Sequence, residues 1–464
     1  IGPKKVKVIW EELGIETLGE LLYACNENRL VDLKGFGAKT QEQIKGAVTF
    51  MLNNAGLKRY SDAWVIAQRE EAFIRNLKQS VAISQTGSIR RKCEIQSEID
   101  FLVATDSSDA LFHAFTETGQ NGTRQPWGFS YLTDEHFPVR LFTCSKMDFG
   151  TRLFVTTGSE VFLSECEKYK SLAATLQHNY ADEDSLFAAA GLAFIPPECR
   201  EGSGELSIAE SGSFLALLEY ADLKGCLHNH STYSDGINSL REMAVACINE
   251  GLEYFGICDH SKSAFYANGL SVERVIQQHL EIDKLNAELA PFKIFKGIES
   301  DILPDGSLDY PDAVLDTFDF VVASVHSNLR MDKTRATERL LKAISNPYTT
   351  VLGHPTGRLL LAREGYPLDM DEILEACRQH DVVIELNANP YRLDLDWRWI
   401  QTAVSKGIKI AVNPDAHRVE GIKDMQYGVW AARKGMLLAA DTFNARSLSQ
   451  VSEYFAARKQ RVFN

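Results

Sequence analysis

The sequence has no run approaching the roughly 18 apolar residues that a membrane helix needs, so nothing in it reads as a membrane span. Its first residues, IGPKKVKV, carry basic side chains without the apolar stretch of a secretory signal. Paired cysteines are also missing. The nine cysteines (25, 93, 144, 166, 199, 226, 247, 258 and 377) are scattered with no CxxC spacing, which excludes a disulfide frame and fits reduced thiols in a cytosolic protein. There is no excess of positive charge. The net −14 argues against a wholly basic nucleic-acid binder, but carboxylates gathered around metals inflate that count and leave room for local contacts. Internal repeats and low-complexity tracts are absent. The chain begins without Met, inside what reads as a motif, so an upstream segment is expected. What is there is a 464-residue globular composition, 45% hydrophobic and 24% charged, long enough for roughly two to four domains.

Three stretches separate. Residues 1–60 are short helical periods broken by IGPKK and KGFGAKT, and 61–195 mix helices with strands such as 99–105 and 138–144. The passage 196–220, which contains PPECREGSGELSIAESGS, carries enough Pro, Gly and Ser to predict a loose linker. From 221 to 464 short apolar runs alternate with amphipathic helical stretches, as in βα units around a parallel sheet. Seven runs are visible: GCLHNH, LEYFGICDH, FKIFKGIES, FDFVVASVHS, TTVLGHP, VVIELNAN and IKIAVNPDAH.

Those runs end, in order, in His228 and His230, Asp259-His260, Glu299, His326, His354, Asn387, and Asp415-x-His417. The C-terminal ends of barrel strands converge on one face, so these side chains can surround several divalent ions together, with Asp235 joining from the loop HSTYSDG. A single such histidine would read as a strand cap; six in the same position do not. His279 and His380, on amphipathic helical stretches, read as solvent-exposed and serve as a control. Arg358 in GHPTGR and Lys262 in DHSKS are candidates for gripping a phosphate, with ordinary surface charge as the competing reading. Asn387, Asn389 and Arg392 are weaker site candidates. Arg330, Lys333 and Arg335 could track a nucleic-acid backbone or sit in a solvated loop.

At the front, IGPKKVKVIWEELGI and LVDLKGFGAKTQEQI read as helix-hairpin-helix units. Their glycines let backbone amides approach a phosphate, so Gly2, Lys4, Gly35, Gly37 and Lys39 are expected DNA contacts. In GSIRRKCEIQSEIDFLVAT, the acids Glu98 and Asp100 fall on one face of a strand, where a pair of carboxylates can share a metal.

HNH…SDG, CDH, GIESDI, VHS, GHP and NPDAH, in that order, resemble the PHP (polymerase and histidinol phosphatase) family of metallophosphoesterases. With the hairpins, the GSIRR…EIDFLVAT stretch and DSLFAAAGLAFIPPECREGSGE, nearly the whole chain resembles a bacterial family X DNA polymerase fused to a PHP domain. The resemblance implies a multidomain fold: an α-helical helix-hairpin-helix region, an α+β nucleotidyltransferase-like palm and thumb, and a C-terminal distorted (β/α)7 barrel. Family members begin earlier, with a small domain that this sequence does not contain. It further implies up to three ions: one on His228, His230, Glu299 and Asp415, a second sharing Glu299 with His326 and His354, a third on Asp235, His260 and His417. Such mixed N/O sites suit Zn, Mn or Fe, and the clustered charge would make hydroxide available near neutral pH and absorb transition-state charge.

The palm departs from the family pattern. The first acid of its Asp-x-Asp pair is Glu98, and the third catalytic Asp aligns with Pro138 on the strand FPVRLFTC. Val155 and Thr156 replace an aromatic pair. Mg could still bind at the palm, and Gly87, Ser88, Arg90 and Arg91 could hold a phosphate or form a structural turn with surface arginines. The expectation is a palm that folds but polymerises poorly or not at all, beside a barrel that hydrolyses DNA phosphodiesters, as a 3′–5′ exonuclease or an end-processing repair nuclease acting at DNA ends or gaps. Asp235, Glu299 and Asp415, with Arg358 and Lys262, are its expected catalytic groups. An active gap-filling repair polymerase with the PHP domain as proofreader, and a histidinol-phosphatase-like enzyme acting on small molecules, are the rival readings.

Overall fold

The computed structural model describes residues 2–31, 33–212, 214 and 216–462, with Arg461 and Val462 described by their backbone alone. Ile1 and Asp32, inside the two hairpin segments, and Ser213 and Leu215, inside the connecting passage, lie outside the described residues. The chain forms two compact units, 1–58 and 59–464.

The first unit is three helices: α1 (Pro3–Leu13), α2 (Leu18–Asn26) and α3 (Ala38–Asn53). Gly14, at φ 63, ends α1, and Thr17 with Glu20 forms a capping box that starts α2. Ile9, Leu21, Cys25, Leu30, Ile44 and Val48 make its core. Buried Gln41 reaches back from α3 to accept from Leu30 N and donate to Asn28, tying the second hairpin to the helix it precedes. Gly2 and Gly37 are the N-caps of α1 and α3, and neither first turn has a side-chain cap, so its amides face outward.

The second unit begins with a five-stranded mixed sheet. Its strands are β1 (Ala82–Thr86), β2 (Ile99–Ala104), β3 (Gly122–Gln125), β4 (Gly128–Leu132) and β5 (Pro138–Cys144), ordered β1-β2-β5-β4-β3. β2 and β5 run parallel, with Asp100 opposite Arg140. The sheet packs on the helix Tyr60–Arg75 through Ala63, Ile66, Ile74, Phe101 and Val139.

Short helices between Phe149 and Ala190 with their own core follow, and from Gly225 on the chain forms a parallel sheet of seven strands in which each lies beside its sequence neighbours. They are β6 (Gly225–Cys226), β7 (Tyr254–Ile257), β8 (Lys293–Asp301), β9 (Phe320–Ser324), β10 (Val351–Leu352), β11 (Val383–Asn387) and β12 (Ile410–Asn413). Beyond their ends the first and last are joined by an Asn229–Ala416 bridge, with His230 N donating to Ala416 O at 2.8 Å, so the sheet nearly closes into a barrel. Strands buried on both faces need apolar residues throughout, and β7, β9, β10 and β12 are buried along their whole length. Tyr254, Phe295, Phe320 and Val351 fill the interior with Phe455 of the C-terminal helix Leu448–Val462, whose ring stacks on Phe320 at 5.1 Å. Polar residues are left to the other end of the strands.

Two expectations fail here. The first part of the passage 196–220 is not a loose linker: Arg200 is fully buried, donating to Ile195 O at 2.9 Å and to Glu183, and buried Glu205 accepts from Gly202 N and Ser203 N at 2.6 Å. His279 is not solvent-exposed. It packs edge-on against Phe318 at 5.0 Å, and burial pushes its imidazole down to about 4. His380 is exposed. No helix among the described residues is long and apolar enough to cross a membrane.

Candidate metal centre and palm site

The polar strand ends named above reach one place, except Asp259, which turns beneath it. His228 and His230 follow β6, His260 follows β7, Glu299 lies on β8, His326 follows β9, His354 follows β10, and Asp415 and His417 follow β12. Glu299 is the hub. Its Oε1 lies 2.9 Å from His354 Nε2, 3.1 Å from His326 Nε2 and 3.3 Å from His228 Nε2, and its Oε2 lies 3.0 Å from His260 Nδ1. Asp415 Oδ1 is 3.1 Å from His230 Nε2 and 3.6 Å from His228 Nε2. Asp235 faces His417 Nε2 at 3.4 Å and His260 Nε2 at 3.6 Å.

Three overlapping groups have donor atoms close enough to share an ion: His228, His230 and Asp415; His260, Glu299 and His326; and His230, Asp235, His260 and His417. Compared with the sets implied by the family resemblance, His230 and His260 each serve two groups, and His354 stands against Glu299 rather than in a group of its own.

The donor set fits divalent cations on a direct test. Histidine ligands usually bond through their second nitrogen to an acceptor and present the first to the metal. His228 bonds Glu385 through Nδ1 at 2.7 Å and keeps Nε2 buried without a hydrogen bond. His326 bonds Asp301 through Nδ1 at 2.6 Å and turns Nε2 inward. His417 Nδ1 is held by Asp415 O at 3.0 Å. His230 Nδ1 and His260 Nδ1 are also buried without a hydrogen bond. Unsatisfied buried nitrogens facing buried carboxylates are costly unless a cation joins them. Backbone strain gathers here too, because His354 and Asp415 hold φ of 22 and 51.

The charges are strongly coupled. Burial opposes ionisation of Glu299, but His326, His228 and His260 outweigh it and hold the carboxyl well below its usual range. Burial lowers His260, yet Glu299 and Asp235 hold it up at about 10. His230, buried between His417 and His260, is pushed down to about 3.

Three acids lie beneath the ligands; Glu385 and Asp301 were not visible as site residues in the sequence, and Asp259, read there as a strand-end group, supports the site from below. Glu385, fully buried on β11, accepts from His228, from His354 N at 2.8 Å and from Asn413 at 3.2 Å. Asp301 orients His326. Asp259 accepts from Ser231 N at 2.8 Å, from Ser234 Oγ at 2.5 Å and from Gln278 at 2.6 Å, fixing the loop that carries Asp235. The available signal was an acid inside an otherwise apolar run, as in VVIELNAN.

Arg358 does not point at a substrate. Its guanidinium donates to Arg392 O at 2.9 Å, to Asp396 at 2.7 Å and to Leu393 O, so it braces the loop after β11 instead. The braced loop carries Arg392, whose Nε lies 3.5 Å from Asp415 Oδ2, while Asn387 Nδ2 donates to the same oxygen at 3.0 Å. Asn389 accepts from Tyr391 N at 3.0 Å and shapes that loop. Lys262 is exposed, with its ammonium 5.6 Å from the Tyr310 ring centre. Arg330 and Arg335 are exposed after His326, whereas Lys333 pairs with Asp369 at 2.7 Å.

The palm presents a different picture. Asp100 lies on β2 and Glu98 immediately precedes that strand, and Arg140 on β5 meets both: it reaches Asp100 through two bonds at 2.7 and 2.8 Å and Glu98 at 2.8 Å. Pro138, two residues before Arg140, lies on the same face of β5 and brings no acid. Gly87, at φ +62, lies so close to Asp100 that a Cβ would come within 2.1 Å of Oδ2. Ser88 donates to Gln96 at 2.5 Å. The two arginines are not surface groups: Arg90 pairs with buried Glu183 at 2.6 Å, and Arg91 with Glu201 at 2.9 Å and Thr157 O at 2.6 Å. Buried Lys434 of the barrel joins the same Glu201 and donates to Arg91 O at 3.1 Å, so these arginines help seat the palm on the barrel.

Residues 227–389 match the PHP domain family. Over 98% of its length the chain is 36% identical to the "DNA polymerase/3′-5′ exonuclease PolX" of Bacillus subtilis, covering 82% of that protein. The chain belongs to the PolX family. In this family the polymerase-like front is fused to a PHP barrel, and that barrel makes the protein a metal-dependent hydrolase. Two proteins named as probable phosphatases match about half of the PolX chain or less. One, from Caldanaerobacter subterraneus, is 28% identical over 41% of this chain and 74% of its own length. The other, from Thermoanaerobacter sp., is 24% identical over 51% of this chain and 95% of its own.

Proposed function

We propose that this PolX chain is a metal-dependent DNA nuclease, a 3′–5′ exonuclease or end-trimming repair enzyme whose working site is the barrel and whose palm positions DNA without polymerising it. The observation that carries this reading is the contrast in pairing. The barrel acids face a set of imidazoles of which several nitrogens are buried without a hydrogen bond, whereas both remaining palm acids are bonded by Arg140 from their own chain.

His228, His230, Asp235, His260, Glu299, His326, His354, Asp415 and His417 would hold up to three ions, with Zn, Mn or Fe fitting the imidazole-rich set. Bound divalent cations would supply Lewis acidity toward the phosphoryl oxygens and a nucleophile near neutral pH. The residues of the chain do the rest. Glu385, Asp301 and Asp259 hold the ligands in register, and Arg392 adds positive charge at the edge where a phosphate would develop negative charge. Gly2, Lys4, Gly35, Gly37 and Lys39 surround the two uncapped helix starts of the first unit, an arrangement suited to DNA phosphates. DNA as substrate and a cytoplasmic location accord with the named activities of the Bacillus relative.

The rival reading as a gap-filling polymerase is supported by that relative's name, which includes polymerase activity. Against it stand the Arg140 pairing and the apolar Pro138. The small-molecule phosphatase reading is supported by relatives named as probable phosphatases, and the helix-hairpin-helix and palm regions speak against it. Digestion of end-labelled single- and double-stranded oligonucleotides with manganese tests the proposal: Asp415→Ala and His230→Ala abolish cleavage if it holds, and full activity in either variant refutes it.

A further inference from the structure

The turn after His260 spends its two largest apolar side chains on solvent. Phe265 is 89% exposed and Tyr266 70%, in a short turn (Phe265–Ala267) whose alanines Ala264 and Ala267 are buried. The turn itself is held firmly. Ser263 N donates to Asp309 at 2.6 Å and Ser263 Oγ to Asp301 at 3.0 Å on one side, and Asn268 Nδ2 donates to Tyr233 O at 3.3 Å on the other. Gly269 closes it so tightly that a Cβ would come within 1.9 Å of Ser261 O. Exposed aromatic surface on a fixed turn is a mark of a binding site rather than of a loose loop.

The position is at the metal centre. The Tyr266 ring lies 6.2 Å from that of His260. Exposed Lys262 precedes the turn by three residues, exposed Arg330 follows His326, and Arg392 borders Asp415. Aromatic faces interleaved with cations beside a phosphate-cleaving centre suit a single strand, whose unstacked bases can lie on a ring while its backbone follows the positive charge. A base-paired end offers its bases to each other instead.

We propose that Phe265 and Tyr266 form a stacking platform for the bases flanking the scissile phosphate. This rests on the phosphodiesterase reading above. The test uses the full chain with manganese and a 3′-labelled single-stranded oligonucleotide, measuring KM and kcat separately. Stacking loss raises KM roughly tenfold or more for each ring removed, so Phe265→Ala/Tyr266→Ala raises KM far more than it lowers kcat. Phe265→Trp restores binding in the Tyr266-intact protein. An oligonucleotide with two abasic terminal nucleotides is bound weakly by the wild type, and the double variant no longer distinguishes it from the base-bearing one.

An unchanged KM in the double variant, or continued discrimination against the abasic end, overturns the platform while leaving the nuclease reading intact. A wild-type protein that fails to cleave any oligonucleotide yet turns over a phosphomonoester such as p-nitrophenyl phosphate overturns the nuclease reading and the platform with it.

Discussion

The palm and the barrel each gather acids, and they satisfy them in opposite ways. In the palm, Glu98 and Asp100 are bonded by a guanidinium that the fold supplies at the facing strand position. In the barrel, Glu299, Asp415 and Asp235 face imidazoles whose second nitrogens are either anchored on Glu385, Asp301 or a backbone oxygen, or left bare. One guanidinium bridges the carboxylate pair and offsets one of its two negative charges. The cluster of buried acids and imidazoles offers its donors to cations from outside, and on the reading proposed above that difference separates a structural remnant from a working site.

The largest effect that could break this comparison comes from the ligands. Asp415→Ala or His230→Ala should lower manganese-dependent hydrolysis by about three orders of magnitude or more, measured on a labelled oligonucleotide, because each removes a donor from the clustered groups. Metal analysis of the same variants should show fewer bound ions than in the wild type. Stripping the wild type with a chelator should lower its melting temperature, and restoring the metal at about 100 times its Kd should recover roughly 2.7 kcal/mol, while Asp100→Ala should leave that recovery unchanged.

An intermediate effect is expected one layer out. Glu385→Gln keeps the shape but weakens the acceptor behind His228, and a loss of about 10- to 100-fold in metal affinity should follow, read by competition with a chelating dye. The palm offers the converse test: Glu98→Asp combined with Pro138→Asp rebuilds a three-acid face, and template-directed incorporation should rise above the wild-type level on a gapped substrate.

The smallest effect is a pH slope. Burial and then Asp100 raise the Glu98 carboxyl above its ordinary value, with Arg140 opposing them. A folded-state pKa above the unfolded one contributes stability at low pH that is lost as pH rises through the folded value. Melting temperatures of Glu98→Gln should therefore fall less than those of the wild type between about pH 4 and 7.

Much of the barrel is legible in the sequence because each strand delivers its chemistry at one fixed place. Apolar runs ending in His or Asp stand out whatever their neighbours do, and the ligands converge as the strands close. The residues that position them are not legible. Glu385 sits among Val, Ile and Leu, and only the closure of the barrel against His228 gives it a role. Arg358 is misread because its partners, Arg392 O, Leu393 O and Asp396, come from another loop more than 30 residues away. The Gly/Ser-rich passage at 196–220 reads as a linker because composition does not reveal that Arg200 finds Glu183 in the core. Arg90 and Arg91 read as surface groups for the same reason: their partners Glu183 and Glu201 lie about a hundred residues on.

The contrast between the two sites can be decided in one assay. A gapped duplex labelled on the primer strand, incubated with manganese and all four deoxynucleotides, reports trimming and extension together. The account predicts shortening in the wild type, the same shortening in Asp100→Ala, and none in Asp415→Ala. Template-directed lengthening in the wild type that disappears in Asp100→Ala would contradict it.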